Sequence, residues 1–159
     1  MKFFLLSEAK KAFRKAIGGD GMHCPCCGKW GKVYGYKINA TIARGLIWMH
    51  HNEDESGWVN IQEGPRWLLR SKSLSTAKHW GLIERKAKDP AMDLHFSGIW
   101  RLTTKGIAFI KGRTTVEEKA FVFDDEVIMF SKAHTNIKDA LGKKFSYEEL
   151  MNTRMSDDY

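Results

Sequence analysis

No stretch of this 159-residue chain approaches the roughly 18 uninterrupted apolar residues that a membrane-spanning helix requires. A secretory start is missing too. The apolar run at residues 3–6 is four residues long, against the roughly 7–15 of a signal's apolar region, and charges follow at once. These absences lead us to expect a cytoplasmic protein with no membrane partner. Cysteine is scarce: Cys24, Cys26 and Cys27 are all there is. An odd, crowded set is no disulfide framework, and it favours metal binding or reduced thiols in a reducing compartment. Catalytic signatures are also lacking. There is no Gly-rich phosphate loop, no Gly-x-Ser-x-Gly and no His-Glu-x-x-His. Cys26 near His23 mimics a thiol–imidazole pair, but no third orienting group is visible. The expectation is a protein that is not an enzyme.

What the chain has is positive charge, unevenly spread. Net charge is +7 and the pI about 9.3. Residues 1–112 hold 19 Lys/Arg against 9 Asp/Glu, a balance of +10, and residues 113–159 hold 7 against 10, a balance of −3. A basic body with a mildly acidic tail suits a polyanion partner on the body.

Helical spacing of Ala9, Ala12, Phe13, Ala16 and Ile17 predicts a helix ending at the Gly18-Gly19-Asp20-Gly21 stop, with Ser7 as its N-cap. Lys10, Lys11, Arg14 and Lys15 form its basic face, either simply solvated or a phosphate contact. Next comes Cys24-Pro25-Cys26-Cys27-Gly28, a Cys-Pro-x-Cys-Gly turn resembling a zinc knuckle. Two thiolates at that spacing point the same way, and zinc wants four ligands in a tetrahedron. The chain holds no second Cys-x-x-Cys. Cys26 is a candidate third ligand, and His23, His50 or His51 a candidate to complete the set. The site could also be shared across a homodimer, or bind nothing. Our candidate metal ligands are therefore Cys24, Cys27, Cys26, His23 and His51, around a structural zinc.

Alternation over 33–38 predicts a strand. Asn39 then caps a helix over 40–51, with Arg44 and the two histidines around its edges. Residues 52–57 are an acidic loop, and 58–62 alternate as a strand. Pro65 opens a short helix to about Arg70. Ser71-Lys72-Ser73 is a turn, and Ser73 caps a second short helix over 74–80 that Gly81 ends. Strands follow at 82–86 and 98–103, separated by a polar stretch with an Asp89-Pro90 turn signal. Thr103 leads into a further helix. Beyond it, 113–118 reads as a polar linker and 120–130 as a hairpin turning at Asp124-Asp125. Helices at 136–141 and from Ser146 close the chain, the second with a Ser146/Glu149 capping box.

Helix, strand, two short helices, strand, polar turn, strand and helix are the order of a winged helix-turn-helix. The segments Gly81-Leu82-Ile83-Glu84-Arg85 and Leu102-Thr103-Thr104-Lys105-Gly106 resemble the entry to the wing and the helix after it in winged-helix regulators. With the knuckle, the chain also resembles small phage- or prophage-type proteins, which implies a bacterial host cell. The expected fold class is α+β: an N-terminal helix and zinc-knuckle-like turn at 1–38, a winged-helix domain at 39–112, and a C-terminal β-hairpin and helix appendage at 113–159.

That resemblance implies a DNA-binding regulator. Recognition-helix residues would touch base edges, while wing residues and basic neighbours hold phosphates. Mapped here, the DNA-binding residues are Arg66, Arg70, Lys72, Ser73, Ser75, Thr76, Lys78, His79, Arg85, Lys86, Lys88 and Arg101. Leu74, Ala77 and Trp80 should face the core. The helix lacks a central Arg or Asn for bidentate base reading, which favours backbone attraction over sequence reading. Because winged helices also bind proteins, the alternative is a phage-encoded inhibitor of a host defence or transcription factor. Of the six tryptophans, Trp30 is the one expected at the surface.

Overall fold

The computed structural model describes residues 5–87 and 98–155 of a mixed α+β protein. Its N-terminal part runs α1 (Leu6–Ile17), β1 (Met22–His23), β2 (Trp30–Gly31) and β3 (Tyr34–Lys37). The helix starts at Leu6 without a side-chain cap. Ser7 is thus inside it and is not the N-cap the sequence suggested. β1 and β2 pair across the cysteine turn, Met22 opposite Gly31 and His23 opposite Trp30. Gly31 has to be glycine, because a Cβ there would sit 2.3 Å from the Phe13 ring of α1.

The next helix, α2 (Ala40–Asn52), is the centre of the molecule. Asn39 caps it, its side-chain oxygen accepting the Ile42 amide at 2.9 Å. Every residue from Ile42 to Met49 is buried. Such a helix is apolar nearly all round and must be covered on all sides. Gly45 lets two neighbours approach closely: a Cβ there would lie 2.9 Å from Leu68 and 3.0 Å from Leu74. Arg44, expected at the helix edge, is 7% exposed instead. Its guanidinium is stacked between Trp67 at 3.9 Å and Phe145 at 4.1 Å.

After α2 come β4 (Trp58–Asn60), a 3-10 turn (Ile61–Glu63), α3 (Arg66–Ser71), a 3-10 helix (Leu74–Trp80), β5 (Ile83–Arg85), β6 (Ile99–Leu102) and α4 (Thr104–Ile110). The strand expected to run to Gln62 stops at Asn60, whose side chain accepts the Gln62 amide and turns the chain. β4, β6 and β5 form one antiparallel sheet in that spatial order. Thr103 caps α4 by accepting the Gly106 amide. Gly106 sits so close to the sheet that a Cβ would meet the Leu82 carbonyl oxygen at 2.0 Å.

The C-terminal part is β7 (Val116–Glu117), β8 (Lys119–Phe123), β9 (Glu126–Phe130), β10 (His134–Thr135), α5 (Ile137–Leu141) and α6 (Tyr147–Asn152). The stretch read as a polar linker contains β7, which pairs with β10. β8 lies between β3 and β9, with Tyr36 opposite Ala120. Between Phe121 and Val122 the register shifts, leaving Ile128 of β9 as an extra residue. Asp124 and Asp125 make the hairpin turn with φ of 49° and 64°, the left-handed pair of a two-residue hairpin.

One core runs through all three parts. It includes Ile38, the buried residues of α2, Trp80, Trp100, Phe109, Val122, Ile137, Leu141 and Leu150. The outer segments therefore build a sheet together and share the central core.

Candidate nucleic-acid interface and cysteine knuckle

The segment expected to be a recognition α-helix is a 3-10 helix, Leu74–Trp80. Ser73 does not cap it with its side chain. Its hydroxyl pairs with Ser71 Oγ at 3.0 Å, and its carbonyl accepts the Thr76 hydroxyl at 2.6 Å. A 3-10 helix repeats every three residues, so side chains align in rows. Leu74, Ala77 and Trp80 form the buried row, as the sequence suggested. Thr76 is half-buried, the His79 side chain is buried, and Ser75 and Lys78 are exposed. The outward row is thus only two residues wide.

That row is partly engaged within the molecule. Lys78 Nζ pairs with Asp125 at 2.9 Å, and His79 Nε2 lies 3.9 Å from the same carboxylate. The His79 side chain is 6% exposed and stacks on Tyr36 of β3 at 5.4 Å. Burial first, and Lys78 second, push the His79 pKa down from its ordinary 6.5. The hydrogen bond from Lys78 lowers the Asp125 carboxyl. The acidic hairpin tip therefore lies against the end of the 3-10 helix. No local signal in the sequence pairs Lys78 with Asp125, 47 residues on.

The other mapped residues divide. Arg66 and Arg70 of α3, and Lys72 in a left-handed conformation at its end, are exposed. Arg101 pairs with Glu84 and stacks over Trp58 at 4.4 Å. Lys86 lies 5.6 Å from the Trp58 ring, and Arg85 5.6 Å from Trp100. Lys88 and the Asp89-Pro90 turn lie outside the described residues. No family model, curated protein or solved structure matches this chain. The chemistry of the surface has to carry the functional reading.

The cysteine turn is tight. The Gly28 amide donates to the Cys24 carbonyl at 2.8 Å, and the Cys24 amide to the Lys29 carbonyl at 2.7 Å. Gly28 takes the positive φ of 76° that closes it. Backbone hydrogen bonds from Cys27 and then Cys26 lower the Cys24 thiol's pKa, favouring the thiolate. The His23 Nδ1–H donates to the Gly28 carbonyl at 3.0 Å. His51 is held elsewhere, its Nε2–H donating to the Leu150 carbonyl at 2.7 Å, and His50 Nδ1 is buried without a partner. Among the described residues no three His, Cys, Asp or Glu side chains gather as a metal site.

Proposed function

We propose that residues 39–112 form a winged-helix unit that binds duplex DNA or a similar polyanion, chiefly through its backbone charge. The observation that carries this reading is topological. A helix, strand, two short helices and two strands follow in order, and the sheet order is β4-β6-β5. In a winged helix that arrangement sets the second short helix toward the nucleic acid. Arg70, Lys72 and Ser75 are the exposed groups suited to phosphate. The narrow outward row of the 3-10 helix argues for weak base discrimination. The reading is of a binding protein rather than an enzyme, and a regulatory role in a phage or its host rests on sequence resemblance alone.

Mobility shift of random duplex across a salt series tests it. Arg70→Ala with Lys72→Ala should weaken binding and lower the log–log salt slope by about 2, since each phosphate contact contributes roughly 0.9. No binding at low salt would sink the proposal.

A structural zinc remains a separate proposal. Cys24 and Cys27 are the ligands this chain would place, with further donors from a second copy. Less than about a tenth of an equivalent of zinc in protein purified without chelators, on the stoichiometry a structural site demands, would remove it.

A host-protein partner is the second reading. It is favoured by β9, an edge strand that exposes Ile128 and Met129 to 57% and 58%.

A further inference from the structure

Trp30, Lys32, Tyr34 and Tyr36 recur at every second position, the spacing that sets side chains on one side of an extended chain. All four line one cavity of about 350 Å3 beside the cysteine turn, with Phe13 and Phe123 among its other walls. Two of the rings are unlike core residues. Trp30 is 46% exposed and Tyr34 44%. Their positions are fixed all the same. Trp30 Nε1–H donates to the Tyr34 hydroxyl at 3.1 Å, and the His23 ring sits edge-on to Trp30 at 5.1 Å.

Two lysines stand at these rings. Lys32 Nζ lies 5.7 Å from the Tyr34 ring centre. Lys29 stands on the lip, and α1, which supplies Phe13, exposes Lys10, Lys11, Arg14 and Lys15. The two carboxylates on the lip are matched, Asp124 by Lys29 at 2.8 Å and Asp125 by Lys78.

We infer that this cavity takes an unpaired base of single-stranded nucleic acid, stacked on Trp30 and Tyr34, with the strand's phosphates along Lys32 and the basic face of α1. Aromatic rings interleaved with lysines are the chemistry of single-strand binding: every base has a face to stack, and the backbone needs cations. The volume lies at the low end of the roughly 300–1,000 Å3 of small-ligand sites, which suits one planar ring system. A base inside a duplex has both faces covered and does not fit. The site adjoins the 3-10 helix, since Tyr36 stacks on His79 and Asp125 pairs with Lys78, but its chemistry does not depend on the winged-helix reading.

Anisotropy of labelled 12-nucleotide strands at low salt tests the inference, with DNA and RNA of one sequence and a duplex control. The full chain should bind at least one of the strands. Trp30→Ala and Tyr34→Ala should each weaken that binding about tenfold, while Trp30→Phe keeps most of it. Duplex affinity should not change with any of the three. Wild-type protein that ignores both strands, or alanine variants that bind as wild type, overturns the inference. A measurement independent of variant folding uses wild-type protein and strands carrying 5-iodouracil. Photocrosslinks should map to Trp30, Tyr34 or Tyr36, and crosslinks confined to other residues refute the site.

Discussion

Arg44 sets two opposing effects against each other. Its Nε and Nη2 are buried without hydrogen-bond partners, and burial lowers its pKa. Two unmade bonds of this kind cost about 1–3 kcal/mol each. Stacking on Trp67 and Phe145 returns about 2 kcal/mol per ring where water is excluded. The sums nearly cancel, so Arg44→Met should shift unfolding stability by less than about 2 kcal/mol. Ile47→Ala, on the same helix and fully buried, should cost about 2–5 kcal/mol. Denaturant melts of both variants check the contrast. His79 gives a pH dependence. Its folded pKa lies below 6.5, so the neutral ring favours the folded state. That contribution is complete above about pH 6.5 and is lost as pH falls toward the folded value. Stability measured from pH 8 to 5 should be level and then decline. His79→Phe, which keeps a ring against Tyr36, should flatten the decline.

At the scale of elements, the tip of the β8–β9 hairpin and a phosphate compete for the cation of the 3-10 helix. Asp125 occupies Lys78, the outward cation of the helix. An exposed pair of this kind contributes only roughly 0–1 kcal/mol, so phosphate can displace it. Asn tolerates the left-handed turn that Asp124 and Asp125 adopt. Asp125→Asn should therefore leave the hairpin formed and raise duplex affinity several-fold at low salt. The salt slope should steepen by about 1, as Lys78 becomes available. Unchanged affinity would mean that Lys78 never meets the duplex. Much of this element plan was legible because its signals are local. Asn39, Thr103, Asn136 and Ser146 each cap the helix that follows, and Gly81 ends the 3-10 helix with φ of 70°. What stayed hidden depends on distant partners. The outward row of the 3-10 helix is spoken for by a residue 47 positions away, and Arg44 is buried only because Trp67 and Phe145 close over it. Trp30, Lys32, Tyr34 and Tyr36 do carry a signal, period two, but the wall that turns them into a cavity comes from Phe13 and Phe123.

Taken whole, the molecule does not divide at residue 112. Val116, Ala120, Val122, Ile137, Leu141 and Leu150 lie in the same core as α2. Tyr147 donates its hydroxyl proton to the Ile110 carbonyl at 2.5 Å, and Trp80 Nε1–H donates to the Glu117 carbonyl at 2.7 Å. A fragment of residues 39–112 should lack cooperative melting and expose α2's far side, while the full chain melts in one step. A sharp calorimetric transition in the fragment would show the central unit to be self-sufficient. The β3–β8 pairing, with Tyr36 opposite Ala120, adds a matter of timing. A ribosome adding about 5–20 residues per second takes about 4–17 s to travel from one strand to the other. For that interval the nascent chain carries Tyr34 and Tyr36 on an unmatched strand, so chaperone occupancy during synthesis should peak after residue 36 emerges and fall once residue 123 has followed.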